Sequence, residues 1–386
     1  MHFEKAERLK QLPPYLFAEI DKKKKAAIAA GKDIINLGIG DPDLPTPDFI
    51  IEALCRAAHD ARNHQYALDN GLPELRRAFA EWFERRFGVS LDPDKEVYPL
   101  IGSKEGIAHL PLAILNPGDV ALVPDPGYPV YRASTVFAGA EPHLMPLCPE
   151  RNFLPDLESI PCNILKRARL MFLNYPNNPT AAIAPAEFCR EAVAFAQKHG
   201  LAIANDMAYS EIAFEDKPIS LLALPGGKDV VIEFHSLSKT FNMTGWRIAF
   251  AAGNADLVAA LGQLKTNLDS GIFQAIQYAG IAALRDRSDF LERLVSTYRR
   301  RRDVLIGGLR DLGWQVQTPK ATFYSWIPVP GGGKSTEFVG RLLDRANVVC
   351  TPGVGFGAHG EGFFRMTITT SEERLREAVR RIAALS

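Results

Sequence analysis

The sequence predicts an α/β protein: a mostly parallel, doubly wound sheet of seven strands in a large domain, with a smaller α+β domain beside it. Three observations predict it. Seven short apolar runs recur at 97–101, 120–123, 143–147, 170–173, 202–204, 230–234 and 248–251. Helical patterns lie between several of them, as at 187–199 and 256–264. Short apolar runs that alternate with helices read as strands covered on both faces. After about residue 286 the pattern changes to a long basic helix, a strand-like run at 323–327, a helix near 337–345, a strand-like run at 364–368 and a last helix.

Taken in order, residues 1–45 form an arm, a helix and part of the small domain; 46–285 form the large domain; 286–386 form the small one. Lys22 to Lys25 reads as a solvated helix face, and so does Arg299 to Arg302. Gly38-Ile39-Gly40 and the prolines after it mark a turn-rich crossing, where Gly40 lets a ligand approach the backbone. Gly331-Gly332-Gly333-Lys334-Ser335 imitates the end of a phosphate-binding loop. The Walker spacing requires glycine where Pro328 stands, so the segment is a flexible loop.

Composition excludes several classes. Formal net charge is zero, so neither nucleic acid nor an anionic membrane is a natural partner. Five scattered cysteines without a Cys-x-x-Cys point to a reducing compartment and no metal site. The first eight residues are too charged for a signal peptide, and no apolar stretch reaches spanning length. The expectation is a soluble, cytoplasmic protein.

Ligands of such sheets bind beyond the carboxyl ends of the strands. After the run 97–101 comes Gly102-Ser103-Lys104, opening a helix, where backbone N–H groups and a hydroxyl suit an anion. After 120–123 comes Asp125-Pro126-Gly127-Tyr128, whose ring could lie against a flat heterocycle. After 170–173 comes Asn174 to Thr180, with Asn178 before a proline. After 202–204 comes Asp206, a carboxylate that needs a cationic partner at the end of an apolar run, and then Tyr209. Between the last two runs lies Ser236-Leu237-Ser238-Lys239, with Thr244-Gly245-Trp246-Arg247 behind it. A lysine desolvated at a strand end is a nucleophilic amine, and serines with an arginine suit a phosphate. The set suggests an aldehyde cofactor that carries a phosphate.

Ser236-Leu237-Ser238-Lys239 with Thr244-Gly245-Trp246-Arg247 resembles the lysine motif of class I/II aminotransferases of fold type I, the aspartate-aminotransferase-like enzymes. The resemblance runs from about Tyr15 to Arg365. The wording from Glu233 to Gly245 is most like the LL-diaminopimelate aminotransferase branch. The resemblance implies pyridoxal 5'-phosphate, with Lys239 as catalytic residue and covalent anchor. It implies a phosphate cup of Ser103, Lys104, Ser236, Ser238 and Arg247, completed by Tyr66 from a neighbouring subunit, and hence a homodimer with composite active sites. Tyr128 would stack on the pyridine ring, Asp206 would hold its nitrogen, and Asn178 and Tyr209 would reach its phenolic oxygen. Arg365 would grip the substrate α-carboxylate with Asn178, and Tyr15, Gly40 and Asn267 match further substrate contacts. The family usually has glycine where Ala181 follows Asn178-Pro179-Thr180. The implied substrates are an amino acid and a 2-oxo acid, LL-diaminopimelate and 2-oxoglutarate in lysine biosynthesis. Aspartate, alanine or aromatic transamination, a carbon–sulfur β-lyase and a non-catalytic effector-binding protein are the alternatives.

Overall fold

The computed structural model describes residues 3–12 and 16–385. Its strands are β1 (Ile35–Asn36), β2 (Val97–Leu100), β3 (Val120–Asp125), β4 (Glu141–Pro146), β5 (Ala168–Leu173), β6 (Ala202–Asp206), β7 (Val231–Ser236), β8 (Ala249–Gly253), β9 (Tyr324–Pro328), β10 (Val348–Val349), β11 (Thr351–Pro352) and β12 (Phe363–Thr367). Strands β2 to β8 form one seven-stranded sheet in the order β2-β8-β7-β6-β5-β3-β4. Only β8 runs against its neighbours β2 and β7; the remaining pairs are parallel. All seven runs expected from the sequence are strands of this sheet.

The sheet is buried on both faces, which is why its strands read as continuous apolar runs. Alternate residues serve opposite cores. Leu122, Met171, Ile203 and Phe250 face a cluster with Leu75, Phe79, Phe188 and Ala192, from helices Pro73–Phe87 and Ala186–His199. Val123, Phe172, Ala204 and Phe234 face another with Ile107, Tyr131 and Leu261, from helices Ser103–Ile114, Val130–Phe137 and Ala255–Leu268. From β3 the chain moves outward to β4; from β5 it moves the other way to β6 and β7. The carboxyl ends of β3 and β5 therefore flank the point where connections diverge, where a crevice opens in doubly wound sheets.

A second core gathers the remaining elements. The antiparallel order β11-β12-β9 places Arg365 between Thr351 and Trp326. Helices Phe290–Asp311, Ser335–Ala346 and Glu372–Ala383 supply Leu305, Leu342 and Leu375 to it, and the N-terminal β1 pairs in parallel with β10 and supplies Ile35.

The arginine run of helix Phe290–Asp311 corrects an expectation. Arg301 and Arg302 are buried, not solvated. Arg301 places Nη1 and Nη2 at 2.7 and 2.9 Å from the two carboxylate oxygens of Asp43. Arg302 lies over the Phe214 ring and donates to the carbonyl of Pro319. A guanidinium can be taken out of water when a fork of hydrogen bonds meets it, and Asp43 lies too far away in sequence to be anticipated. The Lys22–Lys25 run is mostly exposed, with Lys24 and Lys25 paired to Asp21. Residues 331–334 are exposed, and the three glycines adopt positive φ, as a loop does. No helix among the described residues is long and apolar enough to cross a membrane.

Asp43→Ala would leave the Arg301 guanidinium buried without its carboxylate. It is expected to cost about 2–4 kcal/mol in denaturant unfolding, whereas Arg301→Met, which removes the buried charge itself, should cost less than half as much.

Candidate active site

Asp206 ends β6 and is almost completely buried. Tyr131 donates to its Oδ2 at 2.8 Å, and the Ala208 N–H donates to its Oδ1 at 3.2 Å. Asn174 holds the backbone, donating to the Asp206 carbonyl at 2.8 Å. Burial pushes the Asp206 carboxyl up to about 6, against the pull of the Tyr131 hydrogen bond. Each carboxylate oxygen retains acceptor capacity, so the group fits a flat heterocycle that offers an N–H cation.

Lys239 sits in the single turn Leu237–Thr240 directly after β7. Its Nζ donates to the Gly40 carbonyl at 3.3 Å and lies 5.6 Å from the Phe323 ring centroid. Desolvation lowers it to about 8. The strand before it is anchored by Glu233, which is fully buried and accepts from Asn205, Ser220 and the Leu221 N–H at 3.0, 2.9 and 2.8 Å.

Around this lysine stand the groups expected to cradle a phosphate. Ser103 opens the helix after β2, and Lys104 points its ammonium to within 5.8 Å of the Tyr128 ring centroid. Ser236 accepts from the Ser238 N–H, and both side chains are buried. Arg247, held at φ 57, donates to the carbonyls of Thr244 and Ile101. Its Nη2 passes close to Gly102, whose φ of 82° is the left-handed conformation that favours glycine. Ala181 also takes a left-handed conformation, φ 60, at a cost of roughly 1 kcal/mol. The backbone thus keeps the shape that glycine would give it.

Asn178 and Arg365 meet directly. Arg365 donates from Nη1 to Asn178 Oδ1 at 2.6 Å and from Nη2 to the Gly38 carbonyl at 2.8 Å. Its guanidinium carbon lies 4.1 Å from the Tyr324 ring centroid and 4.7 Å from that of Phe356. Tyr324 reaches on to Tyr209, hydroxyl to hydroxyl, at 2.8 Å. A Cβ on Gly40 would lie 2.3 Å from the Tyr324 hydroxyl oxygen. The space that a side chain at position 40 would need is therefore filled by Tyr324.

Tyr66 and Asn267 stand apart. Tyr66 is 94% exposed, and Asn267 is exposed and donates to its own helix at the Gln263 carbonyl. Tyr15 lies outside the described residues. Tyr131, Tyr324 and Phe356 were missed by sequence reading. Only Tyr131 carried a signal, since it follows Tyr128 by three residues at a helix start. Among the described residues the groups nearest to metal-ligand geometry are Glu105, His109 and Asp269. The Lys265 ammonium already pairs with Glu105 and Asp269 there and supplies the positive charge.

The model of class I and II aminotransferases matches residues 32–382. The chain belongs to this family. As an aminotransferase it is 54% identical to the LL-diaminopimelate aminotransferase of Syntrophobacter fumaroxidans, with all of both chains covered. It is 55% identical to that of Nitratidesulfovibrio vulgaris, over 99% of each. Among solved structures, substrate-bound BacF from Bacillus subtilis aligns with a TM-score of 0.95 at 41% identity, covering all of this chain and 98% of the other. Aspartate aminotransferase from Thermus thermophilus with maleate aligns with a TM-score of 0.92 at 31% identity, covering both chains in full. These matches place the aminotransferase in the aspartate-aminotransferase-like fold.

The raised carboxyl of Asp206 has a measurable sign. In cofactor-free protein it keeps its proton at pH values where the unfolded chain has released it, so its contribution to stability falls as pH rises from about 4 to about 6. Asp206→Asn should therefore stabilise ligand-free protein at pH 7.5 by up to about 3 kcal/mol, with the gain vanishing near pH 4 in thermal melts.

Proposed function

We propose that the chain is a pyridoxal 5'-phosphate-dependent transaminase that moves the amino group of LL-diaminopimelate to 2-oxoglutarate, a step of lysine biosynthesis. The observation that supports the chemistry is a desolvated lysine and a buried carboxylate at the ends of adjacent strands, β7 and β6. What supports the substrate is identity above 50% with relatives named for it, over essentially the whole chain.

When bound, the cofactor would supply an electron sink for the bond broken at the amino acid's α-carbon. Asp206 would hold its ring nitrogen protonated, with Tyr131 fixing the carboxylate's direction. Tyr128 would lie against the ring. Ser103, Lys104, Ser236, Ser238 and Arg247 would hold the phosphate, and Asn178 and Tyr209 would hydrogen-bond the phenolic oxygen. Lys239, lowered to about 8 and so carrying far more neutral amine near pH 7 than an ordinary lysine, would act as the nucleophile that anchors the aldehyde. Once free, the same amine would serve as the base that takes the proton from the amino acid's α-carbon. Arg365 would orient the α-carboxylate by a bidentate fork, together with Asn178. Two half-reactions on one lysine imply ping-pong kinetics.

The remaining readings belong with this one. Residues 46–285 form the cofactor-binding domain, and 286–386, with the segment 1–45, the smaller one. Tyr66 and Leu68 are exposed beside Phe273, whose ring lies 5.8 Å from that of His64; Leu268 is exposed as well. This surface suits a second copy of the chain, so that Tyr66, Asn267 and Tyr15 serve a composite site in a homodimer. The enzyme works in the cytoplasm on small substrates, without nucleic acid or membrane.

Because Lys239 is depressed to about 8, capture of the aldehyde by cofactor-free enzyme should rise with pH and be half-complete near pH 8, well below the ordinary lysine range. Borohydride fixation and peptide mapping check this, and a label on any other lysine refutes the assignment. A donor panel tests the substrate. The distal ammonium and carboxylate of LL-diaminopimelate must both be hydrogen-bonded when buried, so a site built for them disfavours donors without them. Aspartate, alanine, phenylalanine and the meso isomer should show far lower catalytic efficiency with 2-oxoglutarate. If aspartate, alanine or phenylalanine equals the LL isomer, the substrate reading fails and the family chemistry stands.

A further inference from the structure

One wall of the site is held by a contact that the reaction as read above does not use. Asp125 ends β3, three residues before Tyr128, and its side chain is 3% exposed. Its Oδ2 lies 2.7 Å from His359 Nδ1. Its Oδ1 is buried and has no hydrogen-bond partner among the described residues. Gly357, at φ 136, packs so closely that a Cβ there would stand 1.5 Å from this oxygen. A buried carboxylate with one polar partner depends on that partner.

His359 belongs to the short turn Ala358–Gly360, which follows the turn Gly353–Phe356. Both turns lie between β11 and β12, and β12 carries Arg365. Phe356 accepts a hydrogen bond at its carbonyl from the Gly127 N–H at 2.8 Å. Its ring packs 4.7 Å from the Arg365 guanidinium carbon and against Trp326. The segment is thus joined to the loop after β3 twice, by Gly127 to Phe356 and by Asp125 to His359. The Phe356 ring so placed covers one face of the Arg365 guanidinium.

We propose that His359 is a positioning residue for carboxylate binding. By pairing with Asp125 it holds Phe356 against Arg365 and so fixes the aim of the fork that receives the substrate carboxylate. Without His359, Asp125 has no buried partner and must turn toward water, the tight approach to Gly357 opens, and Phe356 leaves the guanidinium. The inference rests on Arg365 as the carboxylate grip. Both substrates carry an α-carboxylate, so both should lose affinity, and loss of binding shared by ground and transition states raises KM without lowering kcat.

The test compares His359→Ala, His359→Asn and Arg365→Leu, all saturated with cofactor, using 2-oxoglutarate and the best donor of the panel above. His359→Ala is expected to raise both KM values roughly tenfold with kcat changed less than about twofold. His359→Asn, which can still donate to Asp125, should restore both to within about twofold of the original. Unchanged KM in His359→Ala, with a raised KM in Arg365→Leu, overturns the inference alone. A loss in His359→Ala that falls on kcat or on cofactor loading, and that asparagine does not rescue, marks a merely structural role and also overturns it. Unchanged KM in Arg365→Leu overturns the Arg365 reading and the inference together.

Discussion

The governing constraint is the cost of keeping charge in a dry place. A sheet covered on both faces leaves polar chemistry only at its strand ends, and here two ionisable groups are held there. Asp206 is raised and Lys239 is lowered, each toward its neutral form, by the same cause, desolvation. Both stand at the carboxyl ends of neighbouring parallel strands, Asp206 at the end of β6 and Lys239 just after β7.

Such groups are useful only if they cannot move, and the structure spends buried polar residues on that task. Tyr131 and Asn174 hold Asp206 by side chain and by backbone. Glu233 ties β7 to β6 and to the loop at Ser220, so that the turn with Lys239 begins from a fixed strand. Tyr324 supports Arg365 by its ring and Tyr209 by its hydroxyl. The Tyr131, Asn174, Glu233 and Tyr324 side chains are each hydrogen-bonded, so they add rigidity without leaving their own polar atoms unpaired.

The fold was legible because burial on both faces writes itself into the sequence as apolar runs, and all seven were readable. The central site residues were legible because they follow those runs directly. What escaped depends on distance along the chain. Nothing near Arg301 announces Asp43, and nothing near Gly40 announces Tyr324. His359 and Phe356 come from a segment of turns without a periodic pattern, so their meeting with Asp125 and Gly127 exists only in three dimensions. Tyr66 was readable as a motif residue only through resemblance, because an exposed tyrosine has no local signature of its purpose.

The pairing of β1 with β10 joins Ile35 to Val348, and Asp33 is gripped by Arg374 and Arg381 from the last helix. The seven-stranded sheet, by contrast, is complete once Gly253 is in place. On a ribosome, then, the large sheet can assemble while more than a hundred residues are still to be made, whereas β1 must wait for nearly the whole chain to emerge. Contacts of such long sequence separation are slow to close. During synthesis the apolar Ile35 and Leu37 would stand without their partners, and this is the interval in which a chaperone would be most needed.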